Sequence, residues 1–209
     1  MTKRKTQILD VAEELFAKHG YDGTTTRLIS ESANANIAMI SYYFGGKEKL
    51  LKAILDRFAE DLSRLINKIQ EEENDPQVRL KSWVVSYLDY VFDHPDSIII
   101  AHRQLNQITD RPEIFSSTKE AFDRIFQQIF QTLEEGQKQG DFKQLDTLLT
   151  IITLKATIED LILESKTIKK DFDIEDDGQN KLYPESFKNR VKDHMISLLE
   201  IYIFKAPTS

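Results

Sequence analysis

The sequence holds no cysteine, which excludes disulfides, thiol nucleophiles and cysteine-based metal sites at once. No apolar run approaches the roughly 18 residues of a membrane span, and Met1-Thr2-Lys3-Arg4-Lys5 lacks the apolar core of a secretory signal. The expectation is a cytoplasmic chain that does not enter a membrane. Glycine and proline are scarce, at 7 and 5 residues of 209, and no repeat or low-complexity tract is evident. With 40% hydrophobic and 30% charged residues, this composition suits a helical protein with a real core, built as one large domain or as a small one fused to a larger one.

Signatures of catalysis and metal binding are equally thin. His19, His94, His102 and His194 share no recognised ligand spacing, so no metal site is assigned. Gly45-Gly46-Lys47 lacks the upstream glycine of a phosphate loop and is followed by Glu48 where Ser or Thr would hold magnesium. Ser116 and Lys119 form a Ser-x-x-Lys without its companion motifs, and Ser117 with Glu120 reads as a capping box at a helix start. Asp173, Glu175, Asp177 and Gly178 approach a calcium loop, but Pro184 stands where the closing Glu belongs. No catalytic residue and no cofactor is assigned, and the chain is not expected to be an enzyme.

What is present is helical periodicity, with charge divided unevenly. The net charge is -7, yet up to Lys52 there are eight Lys and Arg against six Asp and Glu, leaving 20 against 29 beyond. A locally basic head on an acidic body fits a protein that touches nucleic acid at one end. In a first helix over about 3–19, Ile8, Val11, Ala12, Leu15 and Phe16 form one stripe, ended by Gly20. Thr24 or Thr25 can cap a second helix that runs to about Ala33. Asn34 suits the left-handed conformation of a sharp turn, and Asn36 can cap a third helix over 37–44. There Ile37, Ile40 and Phe44 share one face, while Ala38, Met39, Ser41, Tyr42 and Tyr43 are left outside with no acid among them. This is a helix-turn-helix pattern, in which the second helix of the pair enters the major groove of DNA.

The ordered parts Ile8 to Phe16, Gly20-Tyr21, Thr24-Thr25-Thr26, Ile29-Ser30, Asn34-Ala35-Asn36, Tyr42-Tyr43-Phe44 and Lys47-Glu48-Lys49-Leu50 resemble the N-terminal DNA-binding domain of TetR/AcrR-family transcriptional repressors. The match covers about the first quarter of the chain. It departs from the family pattern at Asn34, Ala35, Ala38 and Ser41. The resemblance implies an all-α fold: a three-helix helix-turn-helix domain over residues 1–46, then a larger helical bundle over 47–209 for ligand binding and dimerisation. In this reading Thr24, Thr25, Thr26, Arg27, Tyr42, Tyr43 and Lys47 hold phosphates of a double-stranded DNA operator, while Ala38, Met39 and Ser41 face bases.

The long helix expected over 47–73 places Leu51, Leu55, Phe58, Leu62, Leu65 and Ile69 on one seam, roughly 40 Å at 1.5 Å per residue. Asn74-Asp75-Pro76 marks a boundary, after which helices are expected at about 76–93, 95–109, 117–139, 145–165 and 184–205, with an acidic linker over 169–181. The helices at 145–165 and 184–205 are apolar on more than one side, enough for a core and a twin. The resemblance implies the same: a homodimer through the last two long helices, and hence a palindromic operator. It also implies a small-molecule cavity, for which Trp83, Tyr87, Tyr90, His102, Arg103, Phe122 and Phe126 are the natural lining. Binding of that unknown effector would release the repressor from DNA. The alternative is a helical ligand-binding or partner-docking protein whose head is a structural hairpin without DNA recognition.

Overall fold

The computed structural model describes residues 2–175 and 182–206, and for residues 105–110 and 113 the backbone alone. Asp177 and Gly178, and the end of the linker expected over 169–181, lie outside the described residues. Among those described, the chain is all-α, and the nearest approach to a strand is an isolated antiparallel bridge between Phe142 and Phe204. No described helix is long and apolar enough to cross a membrane. The chain divides into two compact units, Met1–Asp61 with Asp96–Phe122, and Leu62–Pro95 with Asp123–Ser209.

The first unit opens with α1 (Lys3–Gly23), capped by the Thr2 side chain and interrupted at Gly20, whose φ of 75° only glycine adopts without strain. Next come α2 (Thr26–Ser32), α3 (Ile37–Phe44) and the start of α4 (Lys47–Glu72). Parts of α6 (Pro95–Asp110) and α7 (Pro112–Gln139) complete the unit. One apolar cluster joins Ile8, Leu9 and Phe16 of α1 to Ile29, Ile40 and Phe44, and to Leu50, Leu51 and Leu55 of α4. Ile100 and Phe115 close it from α6 and α7. Each such side chain contributes about 1.5–3 kcal/mol on burial, so this cluster outweighs the short helices' own propensities.

Helix α7 begins at Pro112, not near Ser117. Proline preorganises a first helical turn, and the Arg111 carbonyl accepts from the amides of Ile114 and Phe115. Ser117 therefore lies inside the helix, where its hydroxyl accepts from Lys52 Nζ at 2.8 Å instead of capping. On α4 the buried stripe is wider than the expected seam: Ile54 and Ile66 are buried, while Leu65 is half-exposed.

In the second unit, Asp75 caps α5 (Pro76–Asp93) by accepting from the amides of Gln77 and Val78. Asp146 caps α8 (Thr147–Leu163), and a short α9 (Ser165–Asp171) occupies part of the expected linker. The final helix stops early. After α10 (Glu185–Leu198) the chain widens into a π-helical turn over Leu199–Ile203, closed by the Phe204 amide on the Leu199 carbonyl at 2.8 Å. Phe204 then stacks on Phe142, ring centroids 5.3 Å apart. Gly136 underlies this pair, since a Cβ there would lie 2.3 Å from the Phe142 ring. Within the same unit α8 buries Ile151, Leu154, Ile158 and Ile162 but exposes Leu148, Leu149 and Ile152, and Ile201 and Tyr202 are exposed near the chain's end.

Candidate nucleic-acid interface

Four local devices build the head around α3. The Thr25 hydroxyl accepts from the Leu28 amide at 3.1 Å and starts α2. After Ala33 the chain turns through Asn34, left-handed at φ 46°, and the Ala35 amide returns to the Ser30 carbonyl at 2.8 Å. Arg4 of α1 pins this turn by donating to the Asn34 carbonyl at 3.2 Å. Asn36 Oδ1 then accepts from the Ala38 amide at 2.9 Å and starts α3. At the far end Gly45, left-handed at φ 77°, caps α3, and Gly46 leads directly into α4.

Ile40 and Phe44 anchor α3 to the core, and Lys5 lies 5.4 Å from the Phe44 ring centroid. The opposite side presents Ala38, Ser41 and Tyr42, the last 82% exposed and edge-on to Tyr43 at 5.1 Å. Tyr43 and Met39 are half-buried, with Met39 packed against the core cluster. Thr25 and Arg27 are exposed and Thr26 is half-exposed at the start of α2, where Arg27 Nε pairs with Glu31 at 2.8 Å. The outward surface is thus hydroxylic, aromatic and small, with amide donors at the first turns of α2 and α4.

Three expected roles require correction. Thr24 cannot reach DNA: it is fully buried, and its hydroxyl bonds to the carbonyls of Gly20 at 2.8 Å and Leu15 at 3.1 Å. Lys47, expected to hold a phosphate, turns its ammonium inward. It donates to the carbonyls of Tyr21 at 2.8 Å and Thr24 at 2.9 Å and sits 4.1 Å from the Tyr21 ring centroid. Burial raises the Tyr21 phenol above its ordinary value, and Glu48 adds to the rise. Ile37, expected in the core, is 49% exposed because it occupies the first helical position, beyond the reach of the packing that covers Ile40. Sequence reasoning missed it as a surface residue. The signal was available in Asn36, which fixes Ile37 at the helix end.

The residues proposed to line an effector cavity are divided between the two units. Trp83, Tyr87, Tyr90 and Phe126 belong to the second unit and His102, Arg103 and Phe122 to the first. Trp83 and Tyr87 stack at 5.3 Å, and the Tyr87 hydroxyl donates to Glu159 Oε1 at 2.7 Å. Burial and then Glu159 raise that phenol well above its ordinary range. Arg103 is a strut, donating to the Ala17 carbonyl at 2.6 Å, and His102 is exposed. Phe122 packs on Phe58 at 5.6 Å, and Tyr90 lies against His94. Of the seven, Trp83 alone borders the small cavity between α4, α5 and α7, about 10 Å³ and lined also by Ile66, Arg79, Leu80 and Thr132. That is room for about one water molecule.

Known proteins match this arrangement. Residues 8–54 fit the model for bacterial regulatory proteins of the tetR family. The chain is 31% identical over 157 residues to the probable HTH-type transcriptional regulator YttP of Bacillus subtilis, covering 74% of each protein. It is 28% identical over 207 residues to the biofilm operon icaADBC HTH-type negative transcriptional regulator IcaR of Staphylococcus aureus, covering 96% of this chain and all of that one. Among solved structures, the ketosteroid transcriptional regulator KstR2 of Mycobacterium tuberculosis shares the fold at a TM-score of 0.81 and 19% identity, over 99% of this chain and 97% of that one.

Proposed function

The chain belongs to the tetR family of bacterial regulatory proteins and is a transcriptional regulator, and from that premise we propose that it is a repressor that binds a palindromic operator as a homodimer and is released by a small-molecule effector. The observation that carries this reading is the outer face of α3. It is free of acid, capped at both ends and backed by buried Ile40 and Phe44, so it meets the duplex as a rigid unit. In this reading residues 1–46 read DNA, while residues 47–209 bind the effector and dimerise. The site of action is the cytoplasm.

Ala38, Ser41 and the exposed Ile37 face bases. A thymine methyl suits Ile37 or Ala38, and Ser41 donates to or accepts from several base edges. Met39 reaches the groove with the part of its side chain that is not packed on the core. Thr25, Thr26, Arg27, Tyr42 and Tyr43 hold phosphates, assisted by the backbone amides that open α4. Repression is favoured by the relative IcaR, described as a negative regulator. Dimerisation through α8 and α10 would cover the apolar side chains Leu148, Leu149 and Ile152, which otherwise face water. Two half-sites read by a two-fold dimer then add their free energies. Trp83, Tyr90 and Phe126 offer an apolar effector surface, which opens only if the packing around them rearranges.

The test is selection of binding sequences from a random duplex pool by the full-length protein, followed by titration of the winner against salt. An inverted repeat bound far more tightly than random DNA, with steep salt dependence, supports the proposal. A pool without enrichment, together with no salt-sensitive binding, overturns it in favour of a helical ligand-binding protein.

A further inference from the structure

Charged residues around the end of α3 are unequally committed. In the first two turns of α4, Lys47 is bonded to two carbonyls, Glu48 is paired with Arg111, and Lys52 holds Asp56 at 2.5 Å and Ser117 at 2.8 Å. Lys49 is exposed and has no hydrogen-bond or ion-pair partner for its ammonium among the described residues. Its side chain folds back over the junction of α3 and α4, with Cδ 3.1 Å and Nζ 3.6 Å from where a Cβ on Gly45 would stand. From the first turn of α1, Lys5 reaches the adjacent residue. Its Nζ lies 5.4 Å from the Phe44 ring centroid, again without an ion-pair partner among the described residues. Two ammoniums from separate helices thus converge on Phe44 and Gly45, the last residue of α3 and its cap.

We infer that Lys5 and Lys49 bracket the C-terminal end of α3 as a phosphate-binding pair, making the ionic contact that the inward-turned Lys47 does not. Residues 37–44 carry no charge of either sign, so the ionic grip beside α3 comes from its flanks. An ammonium without a protein partner meets a phosphate with no ion pair to break first, and the contact releases condensed counterions. The pair fixes the register of α3 on the duplex and reads no sequence itself. This deepens the operator-binding reading above and rests on it. Cations in the same place also oppose the negative end of the α3 dipole, which would make them supports of the helix alone. The two roles part in their dependence on DNA and salt.

The experiment measures the affinity of the full-length protein for a random-sequence DNA duplex, and for the inverted repeat obtained by selection, as salt is varied. Lys5→Gln and Lys49→Gln should each flatten the slope of log affinity against log salt by about one unit, and the double variant by about two. Each single change should weaken both duplexes alike, by about tenfold near 0.1 M salt, and leave the preference among bases unchanged. Lys49→Arg should restore the slope. Thermal melts of the same variants separate binding from folding. A slope that either Gln variant leaves unchanged overturns the pair, and a lower melting temperature in that variant assigns its ammonium to the α3 dipole. A loss confined to the inverted repeat also overturns it, since that would put the lysines on bases. A native chain that binds neither duplex at any salt overturns the operator-binding reading and this inference with it. Native binding whose slope the variants do not alter overturns this inference alone.

Discussion

The ammonium of Lys47, in the first turn of α4, rests over the ring of Tyr21 and donates to that residue's carbonyl, with the Thr24 carbonyl as its second acceptor. One side chain thereby ties the end of α1 to the start of α4 and closes the back of the head. Lys47→Met should cost about 1–3 kcal/mol, because two half-buried carbonyls lose a charged donor. Urea unfolding measures this. The same variant should leave the salt slope of DNA binding unchanged. A slope flatter by about one unit would place the ammonium on a phosphate after all.

Adjacent threonines should separate cleanly. Thr24→Val removes the buried donor to the Leu15 and Gly20 carbonyls and should cost about 1–3 kcal/mol of stability. Thr25→Ala removes the cap on α2 and should cost about 1 kcal/mol. Only Thr25→Ala should weaken DNA binding beyond its effect on folding. Thermal melts alongside binding isotherms at a temperature where both variants are folded distinguish the two.

Ile37→Ala and Ser41→Ala should each alter preference at one or two base positions, by about 1–3 kcal/mol per position, when selection is repeated with the variants. Tyr42→Phe should instead weaken all sequences alike. A uniform loss for Ile37→Ala would remove it from the bases.

Leu149→Glu with Ile152→Glu places two charges on the exposed side of α8. If α8 forms the proposed dimer interface, sedimentation should show this variant as a monomer at concentrations where the native chain associates, with a folded far-ultraviolet spectrum. Affinity for an inverted repeat should fall towards that for a half-site. A double variant that remains dimeric would move the interface elsewhere.

Burial, and then Glu13 and Glu14, push the Asp96 carboxyl up from its ordinary 3.8 to about 6. Asp96→Asn should therefore raise stability at pH 7.5, by about 1 kcal/mol after allowing for solvent screening of a half-buried group. The gain should shrink as pH falls through about 6 and vanish near 4, where the native carboxyl is neutral too. Denaturation midpoints across that range test the sign as well as the size.

The head was legible in the sequence because its devices are local. Asn34 and Asn36 lie two residues apart, and the left-handed turn and the cap each follow from one side chain's chemistry. The α1 stripe was readable for the same reason. Where the outcome depended on a distant partner, reading failed. Thr24 and Thr25 look alike until the chain folds back on Leu15, and nothing near Lys47 announces Tyr21, 26 residues upstream. Ser117 and Glu120 had the spacing of a cap, yet Pro112 had already opened the helix. The aromatics of α5 and α7 carried helical spacing without any indication that they fall in two units, or that Tyr87 would meet Glu159.

Gly136 makes one further demand on the chain. It gives up its side chain so that Phe142 can lie across α7 and receive Phe204 on its far side, a stack joined by the Lys143 amide on the Ile203 carbonyl and the Lys205 amide on the Asp141 carbonyl. These three positions form a single packed unit. Among descendants of this gene, any residue larger than glycine at 136 should persist only where the ring at 142 has been replaced by something smaller, and position 204 should drift with it. Co-variation would then record a clasp between segments more than 60 residues apart, even though neither aromatic stands out when read alone.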